Sequence, residues 1–218
     1  MNSEQINNKI IIVKENGEQI VNPQEIEGLK INIKGDNNII KIYEPYFFSN
    51  AQIFVAGDIE ITIMPNCRLG HGFIIRKTRN TKKNKLVIGK DFQSGPGCVL
   101  DLTDAGDILI GDGAKWSWNI YVKSDDTHPV FDVTTKKCLN KSTAVVIGNH
   151  VWICMNVTIL KNSEIQDNSV VGACAVVAKK FEEKNVAIAG NPARICKRNV
   201  DWTHGAIEHY IMEQQESI

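Results

Sequence analysis

"VVIGNHVWICMNVTILKNSEIQDNSVVGACAVVAKK" occupies residues 145–180, and its spacing decides the fold. Steps of six from Ile147 reach Ile153, Ile159, Ile165, Val171 and Val177, all aliphatic. The frame two residues earlier holds Val145, Val151, Val157, Ser163, Ser169 and Ala175, all small or β-branched. An α-helix repeats at about 3.6 residues and a lone strand at about 2, so this period fits neither. It fits short strands wound into a stacked coil, with every frame side chain pointing inward. Gly148 and Gly172 each follow a frame position, where a turn with positive φ would favour glycine.

The same frame returns upstream at Ile110, Trp116 and Val122, and at Ile63, Leu69 and Ile75. Gly111 and Gly70 follow frame residues in these stretches, as Gly89 follows Ile88. On this frame Trp116 reads as core. The frame fails between Val122 and Val145, across "SDDTHPVFD" (124–132), and again at "KTRNTKKNK" (77–85). Both breaks are read as loops thrown out from the stack. At about 18 residues per coil, the regular part of 30–185 makes roughly seven coils, about 35 Å tall at a strand spacing of about 4.8 Å.

Each coil buries its frame only against neighbouring coils, so both ends need caps. "KIIIVKENGEQIV" (9–21) sets Asn-Gly between two apolar runs, a β-hairpin signal, and 1–29 reads as a β cap. The β-helix is expected over 30–189, with an inserted loop at about 123–144. The remainder, 190–218, reads as a tail with a short helix in "DWTHGAIEHYIMEQQ" (201–215). Asp201 or Thr203 is its expected N-cap, and Ile207, Tyr210 and Ile211 share one face.

The chain has 218 residues, 43% of them apolar, and a formal net charge of zero, which suits one elongated domain. Without a concentrated positive surface, no nucleic-acid partner is expected. The basic run at 77–85 reads as a solvated loop, with contact to an acidic substrate or phosphate as the alternative. The N-terminus "MNSEQINNKI" lacks the apolar core of a signal peptide, and no apolar run is long enough for a membrane helix, so no membrane insertion is expected. The six cysteines never form CxxC, which argues against a zinc site or disulfide framework and makes a reducing cytoplasm the simplest location.

"VVIGNHVWIC", "VVGACAVVAKK" and "IAGNPARICKR" resemble characteristic stretches of the hexapeptide-repeat acyltransferases. The resemblance is strong over about 105–200 and weaker back to about 30. It is nearest to bacterial O-acetyltransferases that modify surface polysaccharide, including sialic-acid-containing capsules. It implies an all-β fold, a left-handed parallel β-helix of hexapeptide repeats with an N-terminal hairpin cap, an inserted loop and a short C-terminal helix. Cys154 and Cys174 stand where the family usually has glycine, so the turns there are expected to differ locally.

The resemblance also implies acetyl-CoA as donor, a carbohydrate acceptor and a homotrimer with sites between neighbouring β-helices. His128 occupies the place of the family's catalytic histidine. A histidine suits the task because its proton affinity lies near working pH. Asp126 is the favoured orienter of its ring, with Asp125, Asp132 or a backbone carbonyl as alternatives; these acids also suit loop turns. Trp152, itself or through its backbone N–H, is implied beside the thioester. Trp118, Asn119, Tyr121, Lys123 and Asp125 are candidates for the acceptor side. Coenzyme A is expected along the last coils, against Gly172, Ala173 and Ala178, with Lys179, Lys180, Arg194 and Arg198 near its phosphates. Rival readings are an N-acetyltransferase on an amino sugar or nucleotide sugar, a non-catalytic scaffold, and a zinc enzyme of the same fold. The five histidines show no ligand spacing that supports the last, and no metal is expected.

Overall fold

The computed structural model describes residues 7–103 and 106–215. Residues 1–6 of the expected cap and 216–218 of the tail lie outside the described residues. The chain winds through three parallel sheets that form the faces of a prism. On successive passes it adds one strand to each face, for example Ala144–Ile147 on the first, Trp152–Ile153 on the second and Thr158–Ile159 on the third. Register partners there are 18 residues apart: Ile147 with Ile165, Ile153 with Val171, Ile159 with Val177. The third face holds seven strands, so the stack has about seven coils. The fold is a left-handed parallel β-helix, all-β among the described residues apart from the helix Ile207–Gln215.

The hexad frame is the core. All twelve frame residues from Val145 to Val177 are at most 1% exposed. Trp116 is buried, and its ring meets Phe92 edge-on at 5.0 Å.

The frame glycines have a different cause from the one the sequence suggests. Gly148 and Gly172 do not have positive φ. A Cβ on Gly148 would lie 2.4 Å from Asp167 Oδ1, and one on Gly111 would lie 2.6 Å from Gly148 C. These glycines allow one coil to approach the next. The left-handed residues instead run His150, Asn156, Asn162, Asn168 and Cys174, again every sixth residue, with φ between 52° and 60°. Asparagine tolerates this region better than most residues, which makes the Asn series a readable corner signal.

The N-terminal hairpin is part of the stack. Lys9–Val13 pairs in parallel with Asn38–Tyr43, and Gln19–Val21 closes the first face antiparallel. At the other end Arg194–Arg198 pairs antiparallel with Val186–Ala189, a strand inside the segment read as tail and helix. The helix starts at Ile207, so neither Asp201 nor Thr203 is its N-cap. Asp201 instead accepts the Trp202 N–H and pairs with His150. Among the described residues no helix is long and apolar enough to cross a membrane.

Candidate active site

The largest insertion leaves the prism at the corner between Tyr121–Lys123 on the third face and Ala144–Ile147 on the first. It begins buried: Ser124 is 0% and Asp125 4% exposed. Asp125 Oδ1 accepts the Thr127 N–H at 2.8 Å, and Thr127 has φ +67°. The His128 N–H then donates to Asp126 O at 2.7 Å. This tight turn carries the imidazole to the surface beside a cavity of about 370 Å³ lined in part by Asp126, Pro129 and Asn140.

The loop returns as a loose hairpin. Phe131 bridges Cys138, and Asp132 Oδ1 accepts the N–H groups of Thr134 and Thr135 at the tip. Asn140 locks the two arms, because its Nδ2 donates to His128 O at 2.9 Å and to Asp126 Oδ2 at 2.8 Å. Its Oδ1 accepts the Val130 N–H. From the coil above, Lys161 Nζ reaches Asp126 Oδ2 at 2.8 Å and Asn140 O at 2.9 Å.

No hydrogen bond joins the Asp126 carboxylate to the His128 ring in the structure: Asp126 Oδ2 is bonded to Lys161 and Asn140. Burial alone would raise its pKa, but those hydrogen bonds and the Lys161 charge outweigh it and hold it below the usual carboxylate value. Asp132 caps the loop tip. Asn140 and Lys161 escaped the sequence reading because neither belongs to a motif; they meet His128 only through the loop's return and the next coil.

On the third face, Asp101 gathers Arg76, Tyr121 and Lys123. Arg76 Nη2 is 2.7 Å and Lys123 Nζ 3.3 Å from Asp101 Oδ2, and the Tyr121 hydroxyl donates to the same oxygen. Burial pushes the Asp101 carboxyl up, but Arg76, Tyr121, Lys123 and Thr103 together bring it down to about 2. Tyr121 and Lys123 thus belong to one polar cluster beside the His128 loop. Asp101 and Arg76 were missed because strand alternation places them there, coil over coil.

Trp118 and Asn119 stand at a different corner, between the second and third faces. Trp118 is 48% exposed, while Asn119 Nδ2 bonds Asn156 Oδ1 of the coil above. Gly172 and Ala173 lie at this same corner higher up, and Arg194 enters beside them by pairing with Ala189. Ala178 and Lys179 fall one corner further on, above the His128 loop. Lys180 pairs with Glu164, and Arg198 grips Glu183 through two hydrogen bonds. The seven residues assigned to coenzyme A thus do not share one groove on a single chain. A step of six residues moves a third of the way round an 18-residue coil, which separates Gly172 from Ala178.

Trp152 points outward from the second face, 37% exposed. Its backbone N–H donates to Ser169 O at 2.9 Å and is not free to hold an oxyanion. Trp202 of the tail lies 6.1 Å from its ring and stacks on His150 at 4.2 Å, so the tail folds back across this face. Among the described residues no group of His, Cys, Asp or Glu is arranged to hold a metal ion.

A coiled prism whose hexad frame is broken by one histidine-bearing loop defines a class, and comparison with known proteins gives the same class. Residues 144–179 match the family described as bacterial transferase hexapeptide (six repeats). The chain is 31% identical over 192 residues to a polysialic acid O-acetyltransferase of Neisseria meningitidis, covering 88% of this chain and 77% of that enzyme. A polysialic acid O-acetyltransferase of Escherichia coli O1:K1 is 32% identical over 122 residues; the match covers 56% of this chain but 39% of that enzyme's length. The crystal structure of the polysialic-acid-specific acetyltransferase NeuO superposes with a TM-score of 0.72 and 25% identity over 87% of this chain and 82% of that one. The chain belongs to the bacterial hexapeptide-repeat transferases.

Proposed function

We propose that the protein is an O-acetyltransferase that moves an acetyl group from acetyl-CoA to a sugar hydroxyl of an acidic bacterial surface polysaccharide, with His128 as general base. The observation that carries this reading is the built presentation of His128. A buried root, a locked turn and the Asn140 and Lys161 ties hold one exposed imidazole beside a cavity. The likeness to polysialic acid O-acetyltransferases supports the acceptor class. So does the polar cluster on the adjoining face, where one carboxylate, Asp101, faces two cations, Arg76 and Lys123.

The imidazole takes the proton of the acceptor hydroxyl as its oxygen attacks the thioester carbonyl. The carbon–sulfur bond then breaks, and the imidazolium returns its proton to the leaving thiolate. Such a base contributes about 10²–10⁴ in rate. The corner of Gly172, Ala173 and Arg194 supports the donor side: its small residues leave room for a chain along the strands, and Arg194 is a cation beside them. It lies a full face from His128, on the order of 15–20 Å at about 3.3 Å per residue. We therefore place the reaction between neighbouring chains of a homotrimer, where one chain's base meets the next chain's donor groove. Use of acetyl-CoA places the work on the cytoplasmic side.

The test is thiol release from acetyl-CoA with sialic-acid-containing, neutral and amino-sugar glycans, wild type beside His128→Ala. The expected result is release with the acidic glycan that falls at least about 10²-fold in the variant. Equal release by both proteins overturns the base; release only with amino sugars overturns the hydroxyl acceptor.

A further inference from the structure

The basic loop at 78–83 leaves the same corner as the His128 loop, two coils below it. The strands that precede these loops, Ile74–Lys77 and Tyr121–Lys123, are separated on the third face by a single strand, Val99–Asp101. The loop's root is fixed: Lys77 is 1% exposed, and its ammonium donates to Asp58 O at 2.9 Å and to Asn84 Oδ1 at 2.6 Å. Asn84 in turn donates to Gly106 O at 3.0 Å. From this anchored loop Arg79 Nη1 donates to Thr127 O at 2.8 Å.

Thr127 is the residue that most needs holding. It is β-branched yet sits at φ +67°, a region such residues rarely enter. Asp125 Oδ1 holds its N–H from inside the loop, and Arg79 holds its carbonyl from outside. The next residue is His128. Strain of this kind persists only where surrounding contacts over-determine it.

The geometry points to Arg79 as a positioning residue that pins Thr127 in its left-handed conformation and so aims the His128 imidazole. This rests on the acetyl-transfer reading only for its effect on rate; the pinning itself is a property of the loop. It gives the run at 77–85 a task beyond solvation, with no substrate contact required.

The experiment pairs kinetics with amide hydrogen exchange on the whole protein. Arg79→Ala is expected to lower kcat roughly tenfold, the scale of releasing one strained residue, with KM for acetyl-CoA and Tm unchanged. Exchange at the Thr127 and His128 amides should quicken by a similar factor. Arg79→Lys, which keeps a donor, should restore most of both. Thr127→Gly added to Arg79→Ala should recover part of kcat, because glycine adopts this φ without strain. Unchanged exchange and kcat in Arg79→Ala overturn the proposal. A kcat loss without faster exchange, and without rescue by Thr127→Gly, also overturns it and makes Arg79 a substrate contact. Should the wild type transfer no acetyl group, exchange alone decides the pinning, and the functional reading fails separately.

Discussion

Two corners of the prism carry the candidate chemistry, and they are built in opposite ways. The corner of Asn119, Asn156 and Cys174 is periodic: left-handed residues stack coil on coil, and each backbone N–H finds a carbonyl of a neighbouring coil. The His128 corner is interrupted by insertions at 78–83 and 124–143 that are held by side chains from other coils. A periodic corner gives a smooth groove suited to an extended ligand. Only an insertion gives a side chain enough reach and shelter to act on one bond. A single chain holds the two corners a face apart, so the comparison turns on assembly.

The largest effect tests that separation. His128→Ala and Arg194→Ala, each impaired alone, should regain activity when refolded together if the proposed trimer holds, because mixed assemblies would then place an intact base against an intact groove. Recovery of at least about tenfold over the His128→Ala parent is expected, given a base worth about 10²–10⁴. No recovery in co-refolded trimers would put both groups on one chain.

Next, the regular coils should answer to packing and the loop to chemistry. Ile159→Ala opens a cavity in a fully buried frame and should cost about 2–5 kcal/mol in urea unfolding. Asn140→Ala removes ties that lie outside the core. It should leave the unfolding midpoint nearly unchanged while kcat falls roughly tenfold, the scale of one or two hydrogen bonds to charged or strained groups. A large stability loss from Asn140→Ala would erase the distinction.

A smaller effect separates the polar cluster from both corners. Asp101 is depressed from 3.8 to about 2, so its contribution is present above pH 4 and is lost as pH falls through about 2. Linkage makes that contribution on the order of 2 kcal/mol. Asp101→Asn should flatten this part of the stability–pH curve, measured by denaturant unfolding between about pH 5 and 2. The smallest test is thiol labelling. Burial raises Cys67 to about 12 and Cys98 to about 11, so both should resist a thiol reagent that modifies exposed Cys138 and Cys196.

Much of this was legible in the chain. The period of six from Val145 to Val177 gave the coil and its core, because every turn repeats one inward geometry. The break between Val122 and Val145 located His128. The glycines were visible but misread: they admit the next coil, while the left-handed turns fall two residues later in the repeat, at His150, Asn156, Asn162, Asn168 and Cys174. The Lys161 partner of Asp126 was not legible. Separation of two residues in a loop says nothing about Lys161, which is distant in sequence but one coil away in space.

The sequence by itself determined what repeats: which side chains face inward, where the coil is interrupted, and which histidine the interruption presents. Tertiary structure decided what stacks. Coiling at 18 residues per turn brings Arg79, Asn140 and Lys161 to one loop and carries Gly172 and Ala178 to different corners. Periodicity is a local property that a chain records residue by residue. Contacts between insertions depend on loop lengths and on the corner from which each loop leaves, and those are fixed only when the coils close on one another.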